Sequence, residues 1–443
     1  MFEVFKIYYN LYTYNQYDNK EMLYDYIYDL IIEKGPVFIK LGQILSTKTF
    51  IDERLRNKLL NLQHDNQIQH NRTKDELQQI LPLNVLKNIE YNPIDGGSIC
   101  NVYRADYLYE NKEIPVVIKV CHNNIKTKTY NSIQLLKKLL CYGSYFNKNI
   151  SMIKDFIHWK SYFKEITDQS DLRNEYQNIE KYRNNYKDKP FYRLLKIPTV
   201  YLHNKNYIIE SYEEGYDINT FLEKYKSKTF ETISLLSNVL QISLSKEINF
   251  YHSDMHRSNY FFNLNDKNEV VITLIDFGMV TSLDRQLVSN LNDSFNQQLF
   301  KINIDKILEC IFNEMKRYND ESNVDKFVNY IKTISNEEVN ILVPHVYFED
   351  NSPFKKVINV NNYISDIINI LDSAYIYGIK IDGKFVNLLN NLMLVDEMRL
   401  QYIKGEICEL MENQMIAKIG SKDPFVKFWK FRRNYSIRKE FYK

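Results

Sequence analysis

The sequence predicts an α+β chain in two lobes, a small β-rich one preceded by extra helices and a larger, mostly helical one. Three observations lead there. Residues 93–105 read as strand, turn, strand, and residues 115–120, 197–201 and 207–210 add β-prone runs between Gly, Pro and Asn punctuation. From residue 217 to 248, and again after Leu283, apolar residues recur at helical spacing. Between those helical stretches, two apolar runs (residues 260–262 and 270–275) flank the polar turn Asn263-Leu-Asn-Asp-Lys-Asn268, the pattern of a hairpin. Residues 1–90 then form an N-terminal helical extension, 91–215 the small lobe, 216–420 the helical lobe and 421–443 a basic aromatic tail.

In residues 1–34, Tyr24, Ile27, Tyr28 and Ile31 share one helical stripe, which reads either as a face packed on the body or as a membrane or partner face. Gly35-Pro36 interrupts the chain and starts Val37-Phe-Ile-Lys-Leu-Gly-Gln-Ile-Leu-Ser-Thr-Lys48. As a helix, this segment sets Phe38, Leu41 and Leu45 on one face and Lys40, Gln43 and Thr47 on the opposite one. A solvated face explains the polar three, and so does a cation kept for phosphates. Residues 63–75 read as a polar surface connection, and residues 76–86 as a helical pattern broken at Pro82.

The small lobe opens on Asp95-Gly96-Gly97-Ser98. Two adjacent glycines either close a plain hairpin or let backbone amides approach an anion. Next, Pro115-Val-Val-Ile-Lys119-Val carries a lysine inside an apolar strand. A buried ammonium is costly without a partner, so Lys119 either reaches solvent at an edge or pairs with an acid. The candidate partner is Glu175, in a helical segment beginning near Asp171. Glu213-Glu214-Gly215 reads as the hinge out of this lobe. After Gly278 a helix is expected from Leu283 to about Leu299, followed by helices over 304–318, 324–334, 360–377 and 383–412.

The densest chemistry lies in Tyr251-His-Ser-Asp-Met-His-Arg-Ser-Asn259 and in the hairpin's exit, Asp276-Phe-Gly278. The hairpin brings the loop before it and the aspartate after it close together. Asp254, Asn259 and Asp276 supply oxygen ligands with no His/Cys cluster, a donor set suited to Mg²⁺. In phosphoryl transfer, Asn259 and Asp276 would hold the metal on the phosphates while Asp254 orients the attacking hydroxyl or water. A hairpin whose aspartate merely caps the following turn is the plainer alternative.

Composition narrows the setting. The chain has 443 residues, 44% hydrophobic and 26% charged, ordinary for a folded protein. A net charge of +2 gives no global field for nucleic acid, which is not expected as a partner. The five cysteines show no paired spacing, which argues against a disulfide framework or zinc site and for a reducing compartment. No signal peptide, transit peptide or membrane span is evident, so the expected setting is intracellular, soluble or at a membrane periphery. From Pro424 to Lys443 seven Lys/Arg face one acid, Glu440, with Phe425, Phe428, Trp429, Phe431 and Tyr435 interleaved. That tail reads as an anionic-membrane contact or as a frayed basic terminus. If it binds lipid, deleting the chain after Asp423 should weaken binding to anionic vesicles, and the loss should fade as salt rises.

Glycine turn, strand lysine, helix glutamate, hinge, Asp/Asn loop and Asp-Phe-Gly follow the order of a bilobal protein-kinase-like fold. No Ala-Pro-Glu follows, and ordinary protein kinases have no counterpart of the Lys40 helix. The chain resembles the UbiB/ADCK (aarF-domain) family of atypical kinase-like proteins over roughly residues 24–405. The segment Gly35-Pro36 to Lys48 is similar to that family's Lys-x-Gly-Gln signature. Residues 98–105 resemble its alanine-rich loop and following strand, and residues 252–259 its catalytic loop. The resemblance implies ATP and Mg²⁺ as cofactors, slow ATPase or unorthodox kinase activity, and a link to isoprenoid-quinone or other membrane-lipid metabolism through a lipid or quinone-pathway client. It also implies catalytic roles for Asp254, Lys119 and Lys40, nucleotide contacts from Gly96, Gly97, Ser98, Lys119, Glu175 and Gln43, and metal ligation by Asn259 and Asp276. The Lys40 face would lie over the cleft between the lobes, where a protein kinase lays its peptide substrate.

Departures from the family pattern are specific. Asp95-Gly96-Gly97 stands where the family is alanine-rich, and its Glu-x-Asp motif reads Gln169-Ser170-Asp171. Met255, Arg257 and Ser258 replace the usual Pro, Pro and Gly, while Asp254 and Asn259 remain. A nucleotide-binding pseudokinase scaffold and an aminoglycoside-phosphotransferase-like small-molecule kinase are the alternative readings. The Lys40 helix speaks against the second.

Overall fold

The computed structural model describes residues 2–380 and residue 391, apart from 17–19, 47–50, 64–71, 148–149, 152, 155–156, 189, 230, 234, 237–238, 240–248, 256, 289–294, 297–300, 334–345, 348–350, 357–365, 368–369 and 372. The basic tail, Thr47, residues 240–248 of the helical stretch expected over 217–248, and all but residue 391 of the helix expected over 383–412 lie outside the described residues. The chain divides into two compact units, Met1–Asn178 with Pro198–Glu213, and Ile179–Ile197 with Glu214–Lys443.

The first unit begins with helices α1 (Phe2–Asn15), α2 (Glu21–Lys34), α3 (Pro36–Leu45), α4 (Glu53–Leu60) and α5 (Lys74–Ile80). Tyr24 and Ile31 of the expected stripe are buried, as a packed face requires, whereas Phe2, Phe5, Tyr9 and Tyr12 of α1 are exposed. Helix α3 is buried more completely than an amphipathic segment, with Val37, Phe38, Ile39, Leu41 and Leu45 all inside. A Cβ on Gly42 would stand 2.5 Å from Leu62 Cδ1, so glycine lets α3 sit this close to its neighbours. Asp52 caps α4, and a Thr73–Glu76 capping box starts α5. The helical pattern expected to reach residue 86 ends at Ile80, because Pro82 cannot continue it. Leu86 and Lys87 instead form β1.

A mixed-length sheet follows: β2 (Asp95–Gly96), β3 (Cys100–Tyr109), β4 (Lys112–Cys121), β6 (Val200–His203) and β7 (Tyr207–Ser211), in the order β1-β3-β4-β7-β6 with β2 on β3. Every pairing in it is antiparallel. Val116, Ile118 and Val120 turn one face of β4 into a core with Tyr103, Ala105 and Ile209. The period of two therefore sends Val117, Lys119 and Cys121 to the other face. Helices α6 (Ile125–Gly143), α7 (Trp159–Gln169) and α8 (Leu172–Tyr186) complete this run, α8 continuing into the second unit.

In the second unit the expected hairpin is present as β9 (Tyr260–Leu264) and β10 (Val270–Leu274), in register from Val270 opposite Leu264 to Leu274 opposite Tyr260. Strand β5 (Leu195–Lys196) joins β10 in parallel, and β8 (Tyr251–His252) pairs with β11 (Val280–Thr281). Asp217 caps the short helix α9 (Ile218–Lys224). The helix expected to reach Leu299 does not: Phe295–Asn296 forms β12 against β13 (Lys301–Asn303), a strand partner that local periodicity does not register. Helices α10 (Ile304–Tyr318) and α11 (Glu321–Thr333) then bury Leu308, Ile311, Phe312, Val324, Phe327 and Ile331 together. No described helix is long and apolar enough to cross a membrane.

Candidate functional site

In the first unit, Lys119 on β4 is held by two carboxylates. Its Nζ lies 2.6 Å from Glu175 Oε1 on α8 and 3.0 Å from Glu210 Oε1 on β7, with the three side chains 12%, 7% and 2% exposed. Burial makes an unpaired ammonium costly, and both acids offset that cost. Glu210 was not among the sequence candidates. It ends the apolar run Tyr207-Ile208-Ile209, and its register partner Val117 places it on the Lys119 face. The acid at the end of an apolar strand was the available signal, but the register that aims it is non-local.

The glycine turn leaves fewer amides for an anion than its composition suggests. Gly96 N–H donates to Asp95 Oδ1 at 2.8 Å, and Gly97 N–H donates to the Cys100 carbonyl at 2.8 Å. The Ser98 and Ile99 amides have no acceptor among the described residues. The buried His122 imidazole lies 2.7 Å from the Gly97 carbonyl and pins the turn to the end of β4. Cys100 and Cys121, far apart in sequence, are register partners with sulfurs 3.6 Å apart, and both are free thiols. The neighbouring Cys121 thiol and burial push the Cys100 thiol well above its ordinary range.

Lys40 and Gln43 sit half-buried on α3, and Gln43 Nε2 donates to the Leu62 carbonyl at 2.9 Å. Its amide nitrogen therefore serves the packing of α3. Asp171, the surviving acid of the Glu-x-Asp position, accepts from Arg173 at 2.7 Å and from Lys126 at 2.8 Å. The Arg173 guanidinium, aided by Lys126, holds its carboxyl well below the usual carboxylate range. A lowered folded-state value gives stability above the unfolded value, about pH 4, that disappears as pH falls through the folded one. Asp171→Asn should accordingly cost about 1 kcal/mol at pH 7 in chemical denaturation, and progressively less below about pH 4.

In the second unit the catalytic-loop candidates and the Asp-Phe-Gly segment form one hydrogen-bonded assembly. Strands β8 and β11 bring the two chain segments alongside each other, and Ser253 N–H donates to the Met279 carbonyl at 2.9 Å. His252 Nδ1 accepts from Asp254 N–H at 3.3 Å, so its proton sits on Nε2 and is donated to the Asp276 carbonyl. Asn259 Nδ2 donates to the Asp254 carbonyl at 2.9 Å, and Ile275 N–H donates to the Asn259 carbonyl at 3.1 Å. Gly278 N–H occupies Asp276 Oδ1 at 2.7 Å. Phe277 packs edge-on against His252 and against Tyr182 of α8, with ring centroids 5.7 and 5.3 Å away.

The donor chemistry fits Mg²⁺. The amide nitrogen of Asn259 faces the Asp254 carbonyl, which turns its oxygen the other way, and Asp276 keeps a second carboxylate oxygen beyond the Gly278 bond. One carboxylate and one amide oxygen match a cation that takes its remaining ligands from phosphates and water. No group of three His, Cys, Asp or Glu able to hold a metal occurs among the described residues.

Asn391 is the second residue the sequence gave no reason to choose. Buried in the second unit, it donates Nδ2–H to the His252 carbonyl at 2.9 Å and accepts Met255 N–H on Oδ1 at 3.2 Å. It clamps the Asp254 turn from 137 positions along the chain. Asn391→Ala orphans both backbone groups and should cost about 1–3 kcal/mol in thermal or urea unfolding.

Residues 61–311, more than half of the chain, match the model of the ABC1 atypical kinase-like domain. The probable protein kinase UbiB of Histophilus somni is 28% identical over 278 residues, covering 59% of this chain and 49% of that protein. The chloroplastic protein ACTIVITY OF BC1 COMPLEX KINASE 1 of Arabidopsis thaliana is 28% identical over 284 residues, covering 58% and 38%. The alignments span about half the length of the curated relatives, or less. A solved complex of Rv3197 with erythromycin from Mycobacterium tuberculosis superposes with a TM-score of 0.39 at 12% identity, over 72% of this chain and 78% of that one. With an ABC1 atypical kinase-like domain over most of its described length and UbiB-type relatives, the chain belongs to the UbiB/ADCK family of atypical kinase-like proteins.

Proposed function

We propose that this chain binds a nucleoside triphosphate with Mg²⁺ and acts as an atypical phosphotransferase or ATPase. The observation that carries the reading is the buried Lys119–Glu175 pair at 2.6 Å, a cation held ready on a strand beside a glycine turn. In the proposed site Lys119 holds the α/β-phosphates and the Ser98 and Ile99 amides take a phosphate oxygen. Asn259 and Asp276 hold Mg²⁺, which would neutralise charge on the phosphates. Asp254 orients the acceptor hydroxyl or water, and its turn is supported by His252 and Asn391. Lys40 supplies a further cation toward the nucleotide, and Gln43 supports α3 through Leu62.

The family points to an acceptor or client in isoprenoid-quinone or membrane-lipid chemistry, and the exposed aromatics of α1 suit peripheral contact with such a client. The test is ATP binding and turnover by purified protein, with and without lipid vesicles. Lys40→Ala should change nucleotide affinity or turnover, and unchanged values for both would place Lys40 in packing alone. A nucleotide-binding scaffold with little turnover is the second reading. It is favoured by one observation, the engagement of both glycine-turn amides within the turn itself. Binding without measurable hydrolysis or transfer would select it.

A further inference from the structure

Two thiols that the proposed site does not use lie beside it. Cys100 and Cys121 face each other across β3 and β4, with sulfurs 3.6 Å apart. Cys121 N–H donates at 2.8 Å to the carbonyl of Asn206, just before β7, so its backbone turns away from Cys100. The two cysteines are therefore a non-hydrogen-bonded pair of the β3–β4 ladder. Such a pair brings its Cα atoms to about 4.5 Å, inside the range a disulfide spans. Closing the bond draws the sulfurs together by about 1.5 Å, across a backbone already in register. The pair also flanks the closure of the glycine turn. The Cys100 carbonyl accepts Gly97 N–H at 2.8 Å. His122, next to Cys121, holds the turn through its N–H on the Ile99 carbonyl at 2.9 Å and its ring on the Gly97 carbonyl at 2.7 Å.

We propose that Cys100 and Cys121 are a redox-modification site, closing to a disulfide that fixes the glycine turn and weakens nucleotide binding. The first half stands on the thiol geometry alone, and the second rests on the proposed function. The co-reactant is a low-molecular-weight disulfide. Cys100 is half-buried and Cys121 buried, which sets the order of events. The Cys100 thiolate attacks one sulfur of the incoming disulfide, forms a mixed disulfide and releases one thiolate. The Cys121 thiolate then attacks Cys100 Sγ and expels the second. The protein loses two electrons and two protons, and the reagent takes up both to become two thiols. Burial and the neighbouring thiol keep Cys100 protonated, which makes the first step slow. A reversible bond of this kind suits a reducing compartment, where lasting disulfides are rare. Once formed, it holds the Cys100 carbonyl against Gly97 N–H. A reduced turn can release that bond and offer the Gly97 amide to a phosphate oxygen beside those of Ser98 and Ile99.

The test equilibrates the purified full chain in glutathione buffers of increasing oxidised fraction, alkylates the remaining thiols and reads peptides by mass spectrometry. Wild type should yield a linked Cys100–Cys121 peptide that dithiothreitol removes, and Cys121→Ser should instead trap glutathione on Cys100. No linked peptide from wild type in fully oxidised buffer overturns the proposal. Calorimetry then compares Mg-ATP affinity of the linked and reduced chains. Linkage should weaken binding by about tenfold, the loss of one hydrogen bond to a charged oxygen, and dithiothreitol should restore it. Cys100→Ala/Cys121→Ala, which keeps the exposed Cys141, should bind equally in both buffers. Should that variant fail to fold, Cys100→Ser serves as the same control. Equal affinity of linked and reduced wild type, or a loss that persists in the control, overturns the proposal. No Mg-ATP binding by the reduced chain overturns the proposed function, and the linked peptide then decides the thiol site by itself.

Discussion

Lys119→Met is expected to lower the free energy of unfolding by about 3–5 kcal/mol, as well as to abolish nucleotide binding. Sequence alone leads one to expect weakened binding with the fold intact. The second carboxylate changes that expectation. Methionine keeps most of the buried aliphatic stem but leaves Glu175 and Glu210 facing each other without the ammonium between them. Two acids in side chains 7% and 2% exposed repel each other and have lost a shared donor. Urea unfolding should show the loss, and the double variant Lys119→Met/Glu210→Gln should recover part of the stability but none of the binding. That split separates the two roles of Lys119. A single variant as stable as wild type would mean that Lys119, Glu175 and Glu210 do not act as one buried electrostatic unit.

Asp276→Asn should reduce Mg²⁺-dependent ATP affinity by about 100-fold or more, since even losing a group that only orients a metal ligand costs tenfold to 100-fold. The substitution is nearly isosteric, and an asparagine oxygen can still accept Gly278 N–H, so the Asp-Phe-Gly turn is retained. What disappears is the carboxylate charge that a hard cation requires. Asn259→Ala should give a smaller loss, because it removes a neutral oxygen while also freeing the Asp254 carbonyl from its amide partner. Chelation of metal from wild type should reproduce the Asp276→Asn affinity. Equal thermal stabilisation of wild type and Asp276→Asn by Mg-ATP would remove Asp276 from the metal site.

The parts of this site that were legible in the sequence are those set by local pattern. Lys119 stands out because a lysine inside an apolar strand needs either an edge or a partner, and the hairpin around Asn263–Asn268 follows from two β-prone runs and an Asn-rich turn. Less legible were the groups whose role depends on register or on distant chain. Glu210 reads as the end of a strand until pairing with Val117 turns it toward Lys119, and Asn391 reaches the Asp254 turn only through the tertiary fold. Cys100 and Cys121 become neighbours for the same reason as Glu210. The glycine turn shows a subtler limit. Gly96 and Gly97 identify a permissive backbone, but the Asp95 side chain and the Cys100 carbonyl decide which amides are spoken for. Likewise Phe295–Asn296 pairs with a strand that helical periodicity could not anticipate.

The proposed function requires that Mg²⁺-nucleotide binding be felt at the Lys119 group of the first unit and at the Asp254–Asp276 group of the second. Hydrogen exchange with and without Mg-ATP measures this directly, read in peptides covering residues 95–103 and residues 251–279. Mg-ATP is expected to slow exchange in both segments at the same nucleotide concentration, with Ser98 and Ile99 protected in the first, and EDTA to remove both effects. Protection of one segment alone, or of neither under saturating Mg-ATP, would contradict it.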